Sequence, residues 1–163
     1  MAEQEPLQCI QGSDGSRALE GAVRLLRGVE PFSKYQFGPF VSVLLGQIRR
    51  RHYVFTIRGK QVLGYAGWAL CDPDVARAWV QGNRAPSEEE CYLGSTVVFP
   101  VFYAKSPGAL AFQVRHLKGL LPGREGIWRR DYGERWRIGW GRNATVSNEE
   151  ATASAGGQER TPW

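Results

Sequence analysis

His52-Tyr53-Val54-Phe55-Thr56-Ile57-Arg58-Gly59-Lys60-Gln61-Val62-Leu63-Gly64-Tyr65-Ala66-Gly67-Trp68-Ala69-Leu70 is the most informative run in this chain of 163 residues. β-Branched and aromatic residues crowd both arms, and such side chains pack well on a pleated surface. Between the arms stands Gly59-Lys60, whose leading glycine suits a two-residue type II′ turn. The run predicts an antiparallel hairpin with arms 52–58 and 61–70.

On the N-terminal side the apolar period changes to that of helices. Ser16 can cap a helix over about 17–27, with Leu19, Val23 and Leu26 on one face and Gly28 as its stop. A second helix follows Gly38, with Pro39 in its first turn and Val41, Leu44, Leu45 and Ile48 as its stripe. It closes in Arg49-Arg50-Arg51, which either complements the helix C-terminus or grips an anion. After the hairpin, Asp72-Pro73 opens a short helix through Ala76, Trp79 and Val80. A polar, acidic loop over 83–90 follows, and then a strand from Cys91 to Phe99. Ser106-Pro107 opens another helix whose core face reads as Leu110, Val114, Leu117 and Leu121, stopped by Pro122-Gly123. Two last strands, at about 126–130 and 134–140, surround Asp131-Tyr132-Gly133. The order α, α, β, β, α, β, α, β, β predicts an α+β (α/β-like) sheet covered by helices. No glycine-rich phosphate loop follows any strand, which excludes a doubly wound nucleotide fold.

Residues 1–12 read as a flexible N-terminus, 13–142 as a single domain and 143–163 as a polar flexible tail. That domain, roughly 130 residues, is long enough to bury a core without disulfides or a structural metal. The apolar share of 42% against 23% charged residues is that of a globular chain. No run reaches the length of a membrane span, and the acidic start Met1–Pro6 is unlike a secretory signal. Cys9, Cys71 and Cys91 form no CxxC pair and no Cys/His metal spacing, so they read as reduced thiols in a cytoplasmic protein with no metal.

Few residues offer chemistry. His52 and His116 lack a recognisable partner, and no HExxH, GxSxG or paired-carboxylate pattern occurs. Glu88-Glu89-Glu90 reads as a solvated loop rather than a metal site. The net charge of +5 favours an acidic partner or is simply a solvated surface. Arginines alternate with Trp136, Ile138 and Trp140 along the last strand, which puts the aromatics in a core and argues against nucleic-acid binding.

Several strings together resemble the RTX toxin-activating lysine acyltransferases over about 31–143. His52–Arg58 with Val62–Ala69 is similar to the first hairpin of that family, ending in an aromatic, two small residues, Trp and Ala. Tyr92–Phe99 resembles its aromatic-rich strand, Pro107-Gly108-Ala109-Leu110 the start of its later helix, and Arg129-Arg130-Asp131-Tyr132-Gly133 its closing hairpin. The resemblance implies a fold related to the GNAT acetyltransferases and an acyl donor carried on acyl carrier protein. It implies transfer to a lysine ε-amine of a protein partner, with a histidine base and a nearby aspartate, and a homodimer. The resemblance breaks at those two groups. Phe32, or Lys34 after a shift of two residues, stands where the histidine is expected, and Ser95 stands where the aspartate is expected.

Two expectations follow. The favoured one is an acyltransferase-like protein without catalysis, serving as a binding or structural subunit of a complex and using no cofactor. The other is an active, acyl-carrier-protein-dependent lysine acyltransferase with a relocated base. Candidate binding residues are Tyr65 and Trp68, on the strand resembling the acyl-groove edge, and Arg129 and Arg130. Partners would be a protein, acyl carrier protein, or a lipid or acyl chain, and the tail ending in Trp163 would be a docking segment.

Overall fold

The computed structural model describes residues 5–82, 84–132 and 135–142, the residues from 128 onward by their backbone alone. In chain order the elements are β1 (Leu7–Ile10), α1 (Gly15–Leu26), α2 (Phe37–Arg49), β2 (Tyr53–Arg58), β3 (Gln61–Cys71), α3 (Pro73–Val80), β4 (Thr96–Ala104), α4 (Pro107–Leu120), β5 (Glu125–Tyr132) and β6 (Arg135–Arg142). The strands form one sheet in the order β1-β2-β3-β4-β5-β6. β1 with β2, β2 with β3, and β5 with β6 pair antiparallel, while β4 and β5 are parallel, from Thr96↔Glu125 to Phe99↔Trp128. A parallel pair needs a crossover connection, and α4 supplies it. The architecture is α+β and consistent with a GNAT-like fold.

The hairpin forms as the sequence predicts. Its register runs from Tyr53↔Gly67 to Arg58↔Gln61 with an irregularity between Thr56 and Ile57. Gly59 takes φ +55°, the positive value required at the first central position of a type II′ turn. Four readings need correction. The segment 1–12, expected to be flexible, contains β1, which pairs with β2 from Leu7↔Arg58 to Ile10↔Phe55. Asp14, not Ser16, caps α1: its carboxylate accepts the Ser16 and Arg17 amides at 2.8 and 3.3 Å. The fourth strand starts at Thr96 rather than Cys91, because Glu89–Cys91 is a 3-10 turn. Finally, of the expected α4 face Leu117 is buried, but the helix turns Ala109 and Gln113 inward with it and leaves Leu110 and Val114 half-buried. Apolar residues surround most of that helix, so periodicity alone points to no single face.

The contacts fall into two compact units. One comprises the chain up to Trp68 together with Pro100–His116; the other comprises Ala69–Phe99 and the chain from Leu117. In the first, Ala18, Ala22, Leu25 and Leu26 of α1 and Leu44 and Ile48 of α2 pack with Tyr53, Phe55 and Tyr65 of the hairpin. Small residues on α1 let it lie close to the sheet: a Cβ at Gly21 would already touch the Phe55 ring at 3.4 Å. α2 ends in a Schellman motif, with the His52 amide on the Gln47 carbonyl at 2.9 Å and the Arg51 amide on Ile48 at 3.0 Å. Arg51 takes the left-handed position, φ 57°, where glycine is usual. Its carbonyl accepts the Gln11 side-chain amide at 2.8 Å and its guanidinium bonds the Gln11 oxygen at 3.3 Å, which ties β1's end to the motif. The Arg49-Arg50-Arg51 triplet is thus a helix terminus first.

The second unit has its own core of Ala69, Cys71, Ala76, Val80, Cys91, Val98 and Ile127. Gly94 lies so close to β3 that a Cβ there would stand 2.1 Å from the Cys71 carbonyl. The Arg124 guanidinium donates to the Gly94 carbonyl and holds that approach.

Candidate functional site

The two positions at which the sequence resemblance implies a base and an aspartate hold Phe32, or Lys34, and Ser95. Phe32 opens the 3-10 turn between α1 and α2 and is 9% exposed. It stacks on Phe40 of α2 at 5.8 Å and meets Tyr35 edge-on at 5.9 Å, and Tyr35 and Phe40 close the triangle at 5.7 Å. Each such ring pair is worth about 0.5–1.5 kcal/mol beyond area burial, so this is a packing position. Lys34 extends into solvent, its side chain 70% exposed, and pairs with Glu30 at 2.8 Å. The ammonium there is open to water with a carboxylate beside it. Ser95 is exposed just before β4. Its hydroxyl carries no charge with which to orient or stabilise an imidazolium.

Tyr65 and Trp68 belong to the interior. Tyr65 is fully buried, and its hydroxyl donates to the Gln47 Oε1 at 2.9 Å. Burial and the neighbouring Tyr53 push its phenol far above the usual tyrosine value, and Arg50 only partly opposes them. Trp68 is 2% exposed and stacks on His52 at 5.9 Å with 12° between the rings. That stacking gives His52 a packing role, while His116 is exposed on α4. Arg129 and Arg130 lie on β5, opposite Ile138 and Arg137 of β6. Their side chains, and the tail 143–163 with Trp163, lie outside the described residues.

Sequence reasoning missed two buried glutamines seated on glycines of β3. Gln47 of α2 occupies the space where a Cβ on Gly67 would stand, 2.0 Å from its Oε1. Gln113 of α4 does the same at Gly64, 2.4 Å from its Oε1. Thr56 donates to that Gln113 oxygen at 2.7 Å, so the Cys9 thiol, 3.5 Å from the Thr56 hydroxyl, is left to donate to it. Burial raises the Cys9 thiol above its ordinary value, against a smaller lowering from Thr56, which keeps it protonated and weakly nucleophilic. The spacing Gly64-Tyr65-Ala66-Gly67 was the available signal, because glycine inside a strand marks a close approach. Which side chain would fill each gap had no signal, since α4 follows some fifty residues later.

A cleft of ≈ 270 Å³ opens beside the start of α1, floored by Ile10, Phe55, Ile57 and Val62 and edged by Asp14 and Arg17. Its carboxylate is engaged in capping α1 and its arginine stands 3.7 Å from that carboxylate. Among the described residues no group of three or more His, Cys, Asp or Glu could hold a metal ion. No described helix is long and apolar enough to cross a membrane.

One apolar surface is conspicuous. Phe37 is 76% exposed at the start of α2, and Val43 and Tyr35 are exposed beside it. Phe37, Phe40 and Val43 follow one another at i, i+3 and i+6, with Phe40 half-buried against Phe32 between the two exposed residues. No protein-family model matches the chain, and no curated protein is detectably similar to it.

Proposed function

We propose that this chain is an acyltransferase-like scaffold without acyl-transfer chemistry, acting as a binding or structural subunit of a protein complex. The observation that carries the reading is Phe32, an aromatic held in a three-ring cluster at the position where the resemblance to toxin-activating lysine acyltransferases implies the base. Transfer to a lysine forms an amide C–N bond and breaks a thioester C–S bond, but only after the ammonium has lost its proton. Phe32 accepts no proton, and Lys34 is solvated and ion-paired. Exposed Tyr35, Phe37 and Val43 support a binding role, since large apolar groups left in water favour a contact that covers them.

The test is affinity purification of the tagged chain from its own cells at mild salt, followed by mass spectrometry of the bound proteins. A stoichiometric complex whose lysines carry no fatty-acyl mass is expected. Co-purified acyl carrier protein, with an acylated lysine that disappears when this chain is deleted, would overturn the reading in favour of an active enzyme with a relocated base.

A further inference from the structure

We infer that the cleft beside the start of α1 binds a free α-amino acid with an apolar side chain. Every residue that lines it belongs to the first unit, so the site is built within that unit alone. Ile10, Phe55, Ile57 and Val62 give it an apolar floor, with Ile10 exposed and Ile57 and Val62 half-buried. Water against such a floor is displaced favourably by an aliphatic or aromatic side chain. α1 lines the cleft with Ala18 and Gly21, the two smallest residue types, so the helix supplies no side chain there to fill it. Its ≈ 270 Å³ lies just below the range of about 300–1,000 Å³ that suits drug-sized ligands, which points to a smaller molecule.

The rim selects the charge pattern of the occupant. One oxygen of Asp14, Oδ1, accepts the Ser16 and Arg17 amides and so caps α1. The other, Oδ2, stands 3.7 Å from Arg17 Nε, too far for a hydrogen bond. Among the described residues, neither that oxygen nor the terminal nitrogens of the Arg17 guanidinium has a hydrogen-bond partner, and both side chains reach water. An acceptor and a donor fork therefore stand side by side at the edge of an apolar cleft. A simple anion facing Arg17 would lie beside the Asp14 carboxylate, and a simple cation facing Asp14 would lie beside the guanidinium, so either gains one attraction and one repulsion. A zwitterion gains two attractions: its ammonium donates to Asp14 Oδ2 and its carboxylate accepts from Arg17. An α-amino acid carries both charges on the carbon that bears its side chain, so an apolar side chain reaches the floor from the same point. A residue inside a peptide has neither charge, and a chain terminus has only one. The inference does not depend on whether the chain transfers acyl groups.

The test is an NMR titration of the full chain with L-leucine, read at the methyl signals of Ile10, Ile57 and Val62, at about pH 6, where amino groups are charged. Saturable shifts of those methyls are expected, with a Kd of about 1 mM or tighter. N-Acetyl-L-leucine lacks the ammonium, L-leucinamide lacks the carboxylate and glycine lacks the side chain, so each should bind at least about fivefold more weakly. Arg17→Gln and Asp14→Asn should raise the Kd for L-leucine by a similar factor. Asparagine is as good a helix cap as aspartate, so the second substitution leaves α1 in place. Methyls that stay unmoved at about 20 mM L-leucine, equal binding of L-leucine and its two blocked forms, or a Kd indifferent to both substitutions would overturn the inference.

Discussion

The Tyr65–Gln47 pair decides whether the third strand carries a binding site or a sealed core. Tyr65→Phe removes a hydroxyl with no access to water and leaves the Gln47 Oε1 without its 2.9 Å donor. The Gln47 Nε2 has no hydrogen-bond partner among the described residues, so the mutant amide would be unsatisfied at both ends. An unsatisfied buried group costs about 1–3 kcal/mol, and Gln47→Leu should cost a similar amount by orphaning the phenol. Removing both partners together leaves nothing unsatisfied, so the double variant should be more stable than the sum of the singles predicts, by about 1–3 kcal/mol. Urea unfolding followed by circular dichroism measures this as displaced midpoints at constant slope. Additivity within about 0.5 kcal/mol would show that the two side chains are uncoupled and would refute the reasoning. Low coupling together with weakened partner binding by Tyr65→Phe would return the position to a ligand-contact role.

Three further outcomes are expected. Gly94→Ala drives a methyl against the Cys71 carbonyl carbon and oxygen, each 2.1 Å away, and should destabilise the second unit by about 1–3 kcal/mol or more, read by hydrogen exchange at the Ala69 and Cys71 amides. Gly119→Ala, in α4 with open space around the added carbon, should instead raise the thermal midpoint, by about 0.5–1 kcal/mol of stability. Hydrogen bonds from Arg84 and the Ser87 amide hold Glu90 at about 2, against 4.5 for a free glutamate. The folded form therefore binds fewer protons than the unfolded chain between those values, so this stabilisation is complete above pH 4.5 and lost as pH falls towards 2. NMR titration of the Glu90 carboxyl should show the low midpoint, and Arg84→Gln should move it up; an unmoved midpoint would dissociate the carboxylate from that guanidinium.

Much of the architecture is legible in local chemistry. The hairpin is announced by its β-branched arms and Gly59, the third helix by Asp72-Pro73, and the fourth by Ser106-Pro107. What is hidden depends on partners distant in sequence. β1 is only four residues long and is recognisable as a strand only once Arg58, Ile57, Thr56 and Phe55 stand beside it. The buried face of α4 contains Gln113, a residue that composition alone would place in water, because Gly64 and Thr56 give it a socket. The candidate binding residues show the same limit. Tyr65 and Trp68 advertise themselves as aromatics on a strand, a pattern common to core and groove, and their burial depends on packing that no short window contains. The exposed residues at the head of α2 are hidden for the converse reason. Phe37 precedes Gly38 and Pro39, so a reading that starts the helix after them leaves Phe37 outside the helix it heads.

The glutamine-on-glycine seats of β3 also constrain how such a sequence can drift. At Gly67 and Gly64 any side chain would collide with Gln47 or Gln113, and a smaller residue at either glutamine would leave an empty notch above a bare backbone. A side chain at position 67 must displace the Gln47 amide, and one at position 64 must displace the Gln113 amide and also meets the Tyr103 carbonyl, so a change at either glycine is eased by a change at its glutamine. In any set of relatives the columns holding positions 47 and 67 should therefore move together, as should those holding 64 and 113. These four positions would then record common ancestry even where the surface has been rewritten for a different partner.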